Sequence, residues 1–325
     1  MTIHQTIKTS LHHAVAQLNA QGADLESAKL EAQLLLQSAL NVNRAWLISH
    51  QDNAPEANIY AAYRVLINRR IKGEPIAYIL GYREFYGLKL NVSADTLIPR
   101  ADTETLVGAA LAKIALSLTP SPQPSPTRGE GVHVADLSPS PPCGRGVGEK
   151  RENGEKLSIL DLGTGTGAIA LAIAKHRSQA HVTALDASQA ALDIAIENAK
   201  NLEIPNVKFI LSDWFSALTN EKFNVIVSNP PYIEAADAHL QQGDLRFEPI
   251  SALASGADGL DAIRRIITQA PQYLNPYGWL MLEHGYNQAN KVAALLKQAG
   301  FSDISHAKDL SGIERVTIGR FQVGA

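Results

Sequence analysis

Sulfur chemistry is nearly absent from this chain. A single cysteine, Cys143, stands among 325 residues, which excludes an intrachain disulfide and leaves no thiolate cluster to hold a metal. An excess of charge of one sign is also missing. The 29 Lys and Arg against 32 Asp and Glu give a net charge of -3, so no global basic field draws in a phosphate backbone. Aromatic residues make up only 6%, few for a surface that would stack on bases. No apolar run approaches the length of a membrane span, and Met1 to Ser10 carry no apolar signal-peptide core. Together these absences predict a cytoplasmic protein that works without a membrane, a metal or direct contact with nucleic acid.

What is present is a chain that is 45% hydrophobic and long enough to bury a substantial core in two domains. Residues 1–82 read as a small helical domain. Leu25, Ala28, Ala32, Leu35 and Leu36 fall at helical spacing over 23–40, with Asp24 as a cap. Ile59, Tyr63, Leu66 and Ile67 do the same over 56–71, which runs into the basic cluster Arg69, Arg70 and Lys72. Residues 83–100 read as a β-hairpin linker, because Phe85 to Val92 alternate around Gly87. Residues 101–325 form the larger domain, interrupted by a Pro- and Gly-rich insert at about 119–156. There Leu118-Thr119-Pro120-Ser121-Pro122 recurs as Leu137-Ser138-Pro139-Ser140-Pro141. So little of the insert is apolar that burial cannot offset the entropy of ordering it, and disorder is expected.

After Leu157 strands and helices alternate. Strands are predicted at 158–162, 182–185, 207–211, 224–227, 277–282, 303–305 and 315–319, the last two as a terminal hairpin. Alternating βα units give a mostly parallel, seven-stranded, Rossmann-like sheet covered on both faces, with ligands beyond the carboxyl ends of its strands. Asp161-Leu162-Gly163-Thr164-Gly165-Thr166-Gly167 follows the first of these strands and opens a helix. Its glycines permit a sharp turn and let backbone approach a ligand. Asp186 ends the next strand, where a carboxylate accepts both hydroxyls of an adenosine ribose. A dinucleotide would fit those two features equally well. Two others favour S-adenosyl-L-methionine: Asp161 suits a cationic amino-acid group and would repel a pyrophosphate, and Asp213-Trp214 follows the third strand, offering a ring and a carboxylate to adenine.

Asn229-Pro230-Pro231-Tyr232 follows the fourth strand. An amide or exocyclic amino nitrogen is a poor nucleophile because its lone pair is delocalised. To attack a sulfonium methyl it needs acceptors for its two N–H groups, placed to one side. The Asn229 side-chain oxygen and the Pro230 carbonyl supply them, the prolines stiffen the turn, and Tyr232 offers a flat surface to a planar group. The same acceptors favour positive charge developing on nitrogen. This chemistry serves a protein amide or an adenine-N6 type nucleic-acid amine.

The chain resembles the bacterial release factor glutamine methyltransferases over essentially its whole length outside 119–156. The likeness is carried by Gly73-Glu74-Pro75-Ile76-Ala77-Tyr78-Ile79-Leu80-Gly81, Phe85-Tyr86-Gly87, Leu97-Ile98-Pro99-Arg100 and the glycine loop. It continues through Ser228-Asn229-Pro230-Pro231-Tyr232-Ile233, Arg246-Phe247-Glu248-Pro249 and Leu282-Glu283-His284-Gly285. The resemblance implies a class I methyltransferase domain that binds S-adenosyl-L-methionine through Asp161, Gly163 to Gly167, Asp186, Asp213, Trp214 and Asn229. It implies a target glutamine held by Asn229 to Tyr232, in the Gly-Gly-Gln motif of class I peptide chain release factors. It further implies that the N-terminal domain docks that partner, a role to which the basic cluster at Arg69 to Lys72 is suited. Glu248 and Glu283 are candidates to line the site, and His284 is expected to be a packed residue. Ala101 departs from the family, which has a second proline before Asp102-Thr103-Glu104. Deleting residues 119–153 is expected to leave methyl transfer within about threefold of the full chain, since no motif lies there; a large loss in a turnover assay would contradict it.

Overall fold

The computed structural model describes residues 6–118 and 157–322. The expected disordered insert at 119–156 lies outside the described residues. Five helices open the chain: α1 (Ile7–Ala20), α2 (Leu25–Leu40), α3 (Arg44–Ser49), α4 (Ala57–Ile71) and α5 (Ile76–Leu80). Asp24 caps α2, its carboxylate accepting from the backbone of Glu26 and Ser27. The apolar stripe of α2 packs against α1 and α4, with Leu35, Leu36, Tyr63 and Ile67 buried together. The Tyr63 hydroxyl, forced inside with its ring, donates to the Ala32 carbonyl at 3.1 Å.

Two short antiparallel strands follow, β1 (Tyr82–Phe85) and β2 (Leu88–Asn91), joined by Tyr86 and Gly87. Both turn residues have positive φ, 49° and 72°, the tight-turn geometry that matches strand twist. The hairpin is more than a linker. Phe85, Leu88 and Leu90 belong to the core of the larger domain.

The larger domain begins with a 3-10 turn, Ala101–Thr103, and α6 (Glu104–Leu118). Beyond the undescribed stretch come β3 (Ser158–Leu162), α7 (Ala168–His176), β4 (His181–Asp186), α8 (Gln189–Asn201), β5 (Val207–Leu211) and β6 (Phe223–Ser228). Then follow α9 (Asp261–Gln269), β7 (Leu274–Glu283), α10 (Ala289–Gln298), β8 (Phe301–Lys308) and β9 (Glu314–Phe321). The seven strands β3 to β9 lie in the order β5-β4-β3-β6-β7-β9-β8, and β9 runs antiparallel to both neighbours. Alternate strand residues feed two cores: Ile159, Val225 and Met281 pack under α6 and α7, while Leu160, Leu162 and Leu282 pack under α9 and α10. The chain is therefore a class I, Rossmann-like methyltransferase fold preceded by a helical region. Helix α9 escaped prediction although Ile263, Ile266 and Ile267 sit at helical spacing, because the irregular chain before it supplies no side-chain cap. Among the described residues no helix is long and apolar enough to cross a membrane.

The basic cluster is not a free patch. Arg69 pairs with Glu74 at its own helix end, and Arg70 pairs with Glu31 at 2.8 Å and with Asp244 at 3.0 Å. The Arg70–Asp244 pair joins α4 to the segment after β6.

Candidate active site

A groove of about 530 Å³ lies beyond the carboxyl ends of β3, β4, β5 and β6, the size of a small-molecule site. The turn after β3 forms its floor. The Gly163 and Thr164 amides donate to the Leu185 carbonyl at 2.9 and 2.8 Å, which pins the loop to the end of β4. The Gly165 amide donates to Asp186 at 2.8 Å, and the Ser188 amide donates to its other oxygen at 2.9 Å. Asp186 is thus fixed at the rim, and each carboxylate oxygen retains a lone pair for a ligand hydroxyl.

Of the residues singled out from sequence, Gly163, Gly165, Asp186, Asp213, Trp214, Asn229, Pro230 and Pro231 line this groove. A side chain at Gly165, where φ is +55°, would meet no protein atom and would project into open space. Gly167 does something else: a Cβ there would lie 3.0 Å from Leu171 and 3.2 Å from Ala195, so its smallness lets α7 and α8 approach. Thr164 and Thr166 are buried beneath the loop. Trp214 holds a left-handed backbone with φ 54°, its ring against the inner core, and Asp213 beside it is gripped by both terminal nitrogens of Arg265.

Asp161 is not among the residues that line the groove. It lies beneath the loop, fully buried, and accepts from Thr164 Oγ1 at 2.6 Å and from the Ala170 amide at 3.2 Å. Its Oδ1 has no partner among the described residues. Burial raises its pKa from 3.8 to about 7, against the lowering effect of those two donors. Asp161 therefore stiffens the loop from below.

The far end of the groove is the turn after β6. Ser228 Oγ donates to the Leu162 carbonyl at 2.7 Å, locking the start of the turn to β3. Asn229 Nδ2 donates to Thr103 Oγ1 at 3.1 Å, and among the described residues nothing donates to its Oδ1. Tyr232 does not line the groove; its hydroxyl donates to Glu283 Oε1 at 3.4 Å, and burial raises its pKa. Glu283 itself is 1% exposed, and burial lifts its pKa from 4.5 to about 7.

Sequence reasoning missed the outer wall, Asp95, Thr96 and Leu97 facing Pro249, Ser251 and Ala252. Buried Glu248 joins its halves, accepting from the Ile98 amide at 3.0 Å and pairing with Arg100. Burial raises the pKa of Glu248 and the Arg100 charge opposes that rise. The contiguous motif Leu97-Ile98-Pro99-Arg100 was the available signal. His284 is packed, as expected, with Nε2 2.8 Å from Thr317 Oγ1 and Nδ1 3.0 Å from the Gly285 carbonyl.

Two family models match the chain: the PrmC N-terminal domain over residues 9–81 and the methyltransferase small domain over residues 149–244. The release factor glutamine methyltransferase of Xylella fastidiosa (strain 9a5c) is 42% identical over 90% of this chain and 93% of its own length. That of Salmonella typhimurium is 42% identical over 96% of this chain and 97% of its own. That of Pseudomonas aeruginosa is 41% identical, with 93% and 96% covered.

The raised pKa of Asp161 has a thermodynamic consequence. Between about pH 4 and about 7 the folded chain holds a proton that the unfolded chain has released, so stability falls as pH rises through that window. Asp161→Asn removes this slope. Its thermal midpoint relative to the parent is expected to be higher at pH ~7.5 than at pH ~5. A difference that stays constant across that range would show that Asp161 titrates normally.

Proposed function

The chain belongs to the release factor glutamine methyltransferases, and from that membership we propose that it methylates the side-chain amide nitrogen (N5) of the glutamine in the Gly-Gly-Gln motif of class I peptide chain release factors. The observation that carries the reading is the orientation of Asn229. Its Nδ2 is committed to Thr103, so a free acceptor oxygen faces the end of the groove. The groove fits S-adenosyl-L-methionine as the methyl donor: Asp186 is fixed to accept ribose hydroxyls, Trp214 offers a ring to adenine, and the open side of Gly165 admits a ligand against backbone. Bound there, that cofactor supplies a methyl carbon on a sulfonium, whose carbon–sulfur pair stays with sulfur as the carbon–nitrogen bond forms.

The chain's own part is orientation. Asn229 Oδ1 and the Pro230 carbonyl accept the two N–H groups of the incoming amide, which turns its lone pair toward the methyl group. Those acceptors also stabilise the positive charge that grows on nitrogen before one of its protons leaves. Pro230 is buried and Pro231 half-buried, so the turn is rigid before any ligand arrives. Tyr232 braces the turn from behind through Glu283.

Unmethylated release factor incubated with the protein and S-adenosyl-L-methionine is expected to gain the mass of one methylene, which peptide mapping places on the glutamine after two glycines. Methyl incorporation into DNA or RNA, with none into release factor, would overturn the reading. Asn229→Ala is expected to lower the turnover number by about two to three orders of magnitude, the scale of losing one preorganised polar contact. Turnover within a few-fold of the parent would remove Asn229 from its orienting role.

A further inference from the structure

Ala94, Asp95, Thr96 and Leu97 line the groove in succession, yet they belong to no helix or strand. Local bonds shape this turn. The Thr96 hydroxyl and the Thr96 amide both donate to the Ser93 carbonyl, each at 3.1 Å. Such bonds close the turn on itself, so its place against the sheet depends on contacts from outside. Glu248 supplies one through the Ile98 amide. Tyr78 supplies another in the middle of the lining residues, its hydroxyl donating to the Thr96 carbonyl at 2.6 Å. The direction of that bond is unambiguous. A carbonyl only accepts, and burial raises the Tyr78 pKa, so the phenol keeps its proton. Thr96 is 1% exposed, so little water could replace a lost donor at its carbonyl.

Tyr78 lies on α5, and α5 is shared between two cores. Ile79 is buried in the core of the helical region, with Ile76 and Leu80 packed against it. Ala77 is buried instead with Val92 and Ile98, the residues that flank the turn, and the Tyr78 ring packs on that cluster. So short a helix, packed on both faces, cannot shift against one core without moving the other. The wall therefore takes its position from the helical region.

We propose that Tyr78 is a positioning residue for the methyl donor: its hydroxyl sets the outer wall of the groove where S-adenosyl-L-methionine needs it, so cofactor affinity depends on the helical region. Tyr78 itself does not line the groove, and the proposal rests on the reading of that groove as the cofactor site. A wall already in place binds ligand without the entropic cost of ordering it. Loss of the bond then shows as weaker cofactor binding, and not as slower chemistry once the site is full.

The test uses the full chain carrying Tyr78→Phe, which keeps the ring against Ala77, Val92 and Ile98 and removes only the hydroxyl. Three quantities are read: backbone amide exchange across residues 94–97 without cofactor, S-adenosyl-L-methionine affinity by calorimetry, and kcat and cofactor KM for methyl transfer to release factor. Exchange is expected to be about five- to tenfold faster, and the cofactor Kd and KM about fivefold higher, the worth of roughly one hydrogen bond. At saturating cofactor, kcat is expected to stay within about twofold of the parent. An unchanged Kd overturns the proposal. So does a weaker Kd with exchange across 94–97 unaltered, because the wall would then not carry the effect. Protection lost throughout the chain, with kcat lowered alongside, overturns the positioning role in favour of a purely structural one. A parent protein that binds no S-adenosyl-L-methionine counts against the reading of the groove, and the exchange measurement still decides whether Tyr78 holds the wall.

Discussion

The parallel pairing of β3 with β4 on one side and with β6 on the other brings three separate loops to one edge of the sheet. Strand order reverses at β3, since the chain moves outward through β4 and β5 and then returns to place β6 on the opposite side. At such a switch point the connections leave in opposite directions and a crevice opens between them. The glycine loop and Asn229 reach that crevice because they come directly after β3 and β6, and Asp186 because it is the last residue of β4. Any slip of β6 against β3 would carry Asn229 away from Gly163. The buried Ser228 hydroxyl, bonded to the Leu162 carbonyl, fixes that register at the point where it matters.

Each wall of the groove has a buried carboxylate behind it. Asp161 lies under the glycine loop, Glu248 behind the outer wall and Glu283 behind the turn after β6. Burying an acid disfavours its charged form, and the pKa of all three is raised for that reason first. Hydrophobic residues of similar size would pack there at less cost, but they would leave the wall without direction. A carboxylate accepts several hydrogen bonds at fixed angles, so it holds a backbone amide or a hydroxyl in one orientation. These sites give up stability for a groove whose polar edges are set before ligand binds.

Contiguity decided what was legible in the sequence. Gly163 to Gly167 and Asn229 to Tyr232 each follow a strand directly and Asp186 ends one, so local pattern found the motif and strand order supplied the juxtaposition. The alternation of strands and helices carried the fold, down to the terminal hairpin of β8 and β9. Thr103 was invisible because its partner Asn229 lies 126 residues away. The burial of Asp161 was not legible because a motif names a residue without saying which way its side chain turns. The ion pairing of Arg69 and Arg70 was not legible because a run of cations shows its charge and hides its partners. Glu31 and Asp244, which neutralise Arg70, come from opposite sides of it in the chain.

Those pairs recast what the helical region contributes. Arg70 reaches Asp244, Arg246 reaches the Lys72 carbonyl at 3.4 Å, and Tyr78 donates to the Thr96 carbonyl at 2.6 Å. The first two hold the segment that leads into Glu248 and Pro249. The third holds the stretch from Asp95 to Leu97 that faces it. Both halves of the outer wall are therefore tethered to α4 and α5, and Glu248 closes the arc between them. The loops that form this wall have little regular structure of their own and would otherwise sample many shapes. The helical region shapes the entrance to the groove through these struts.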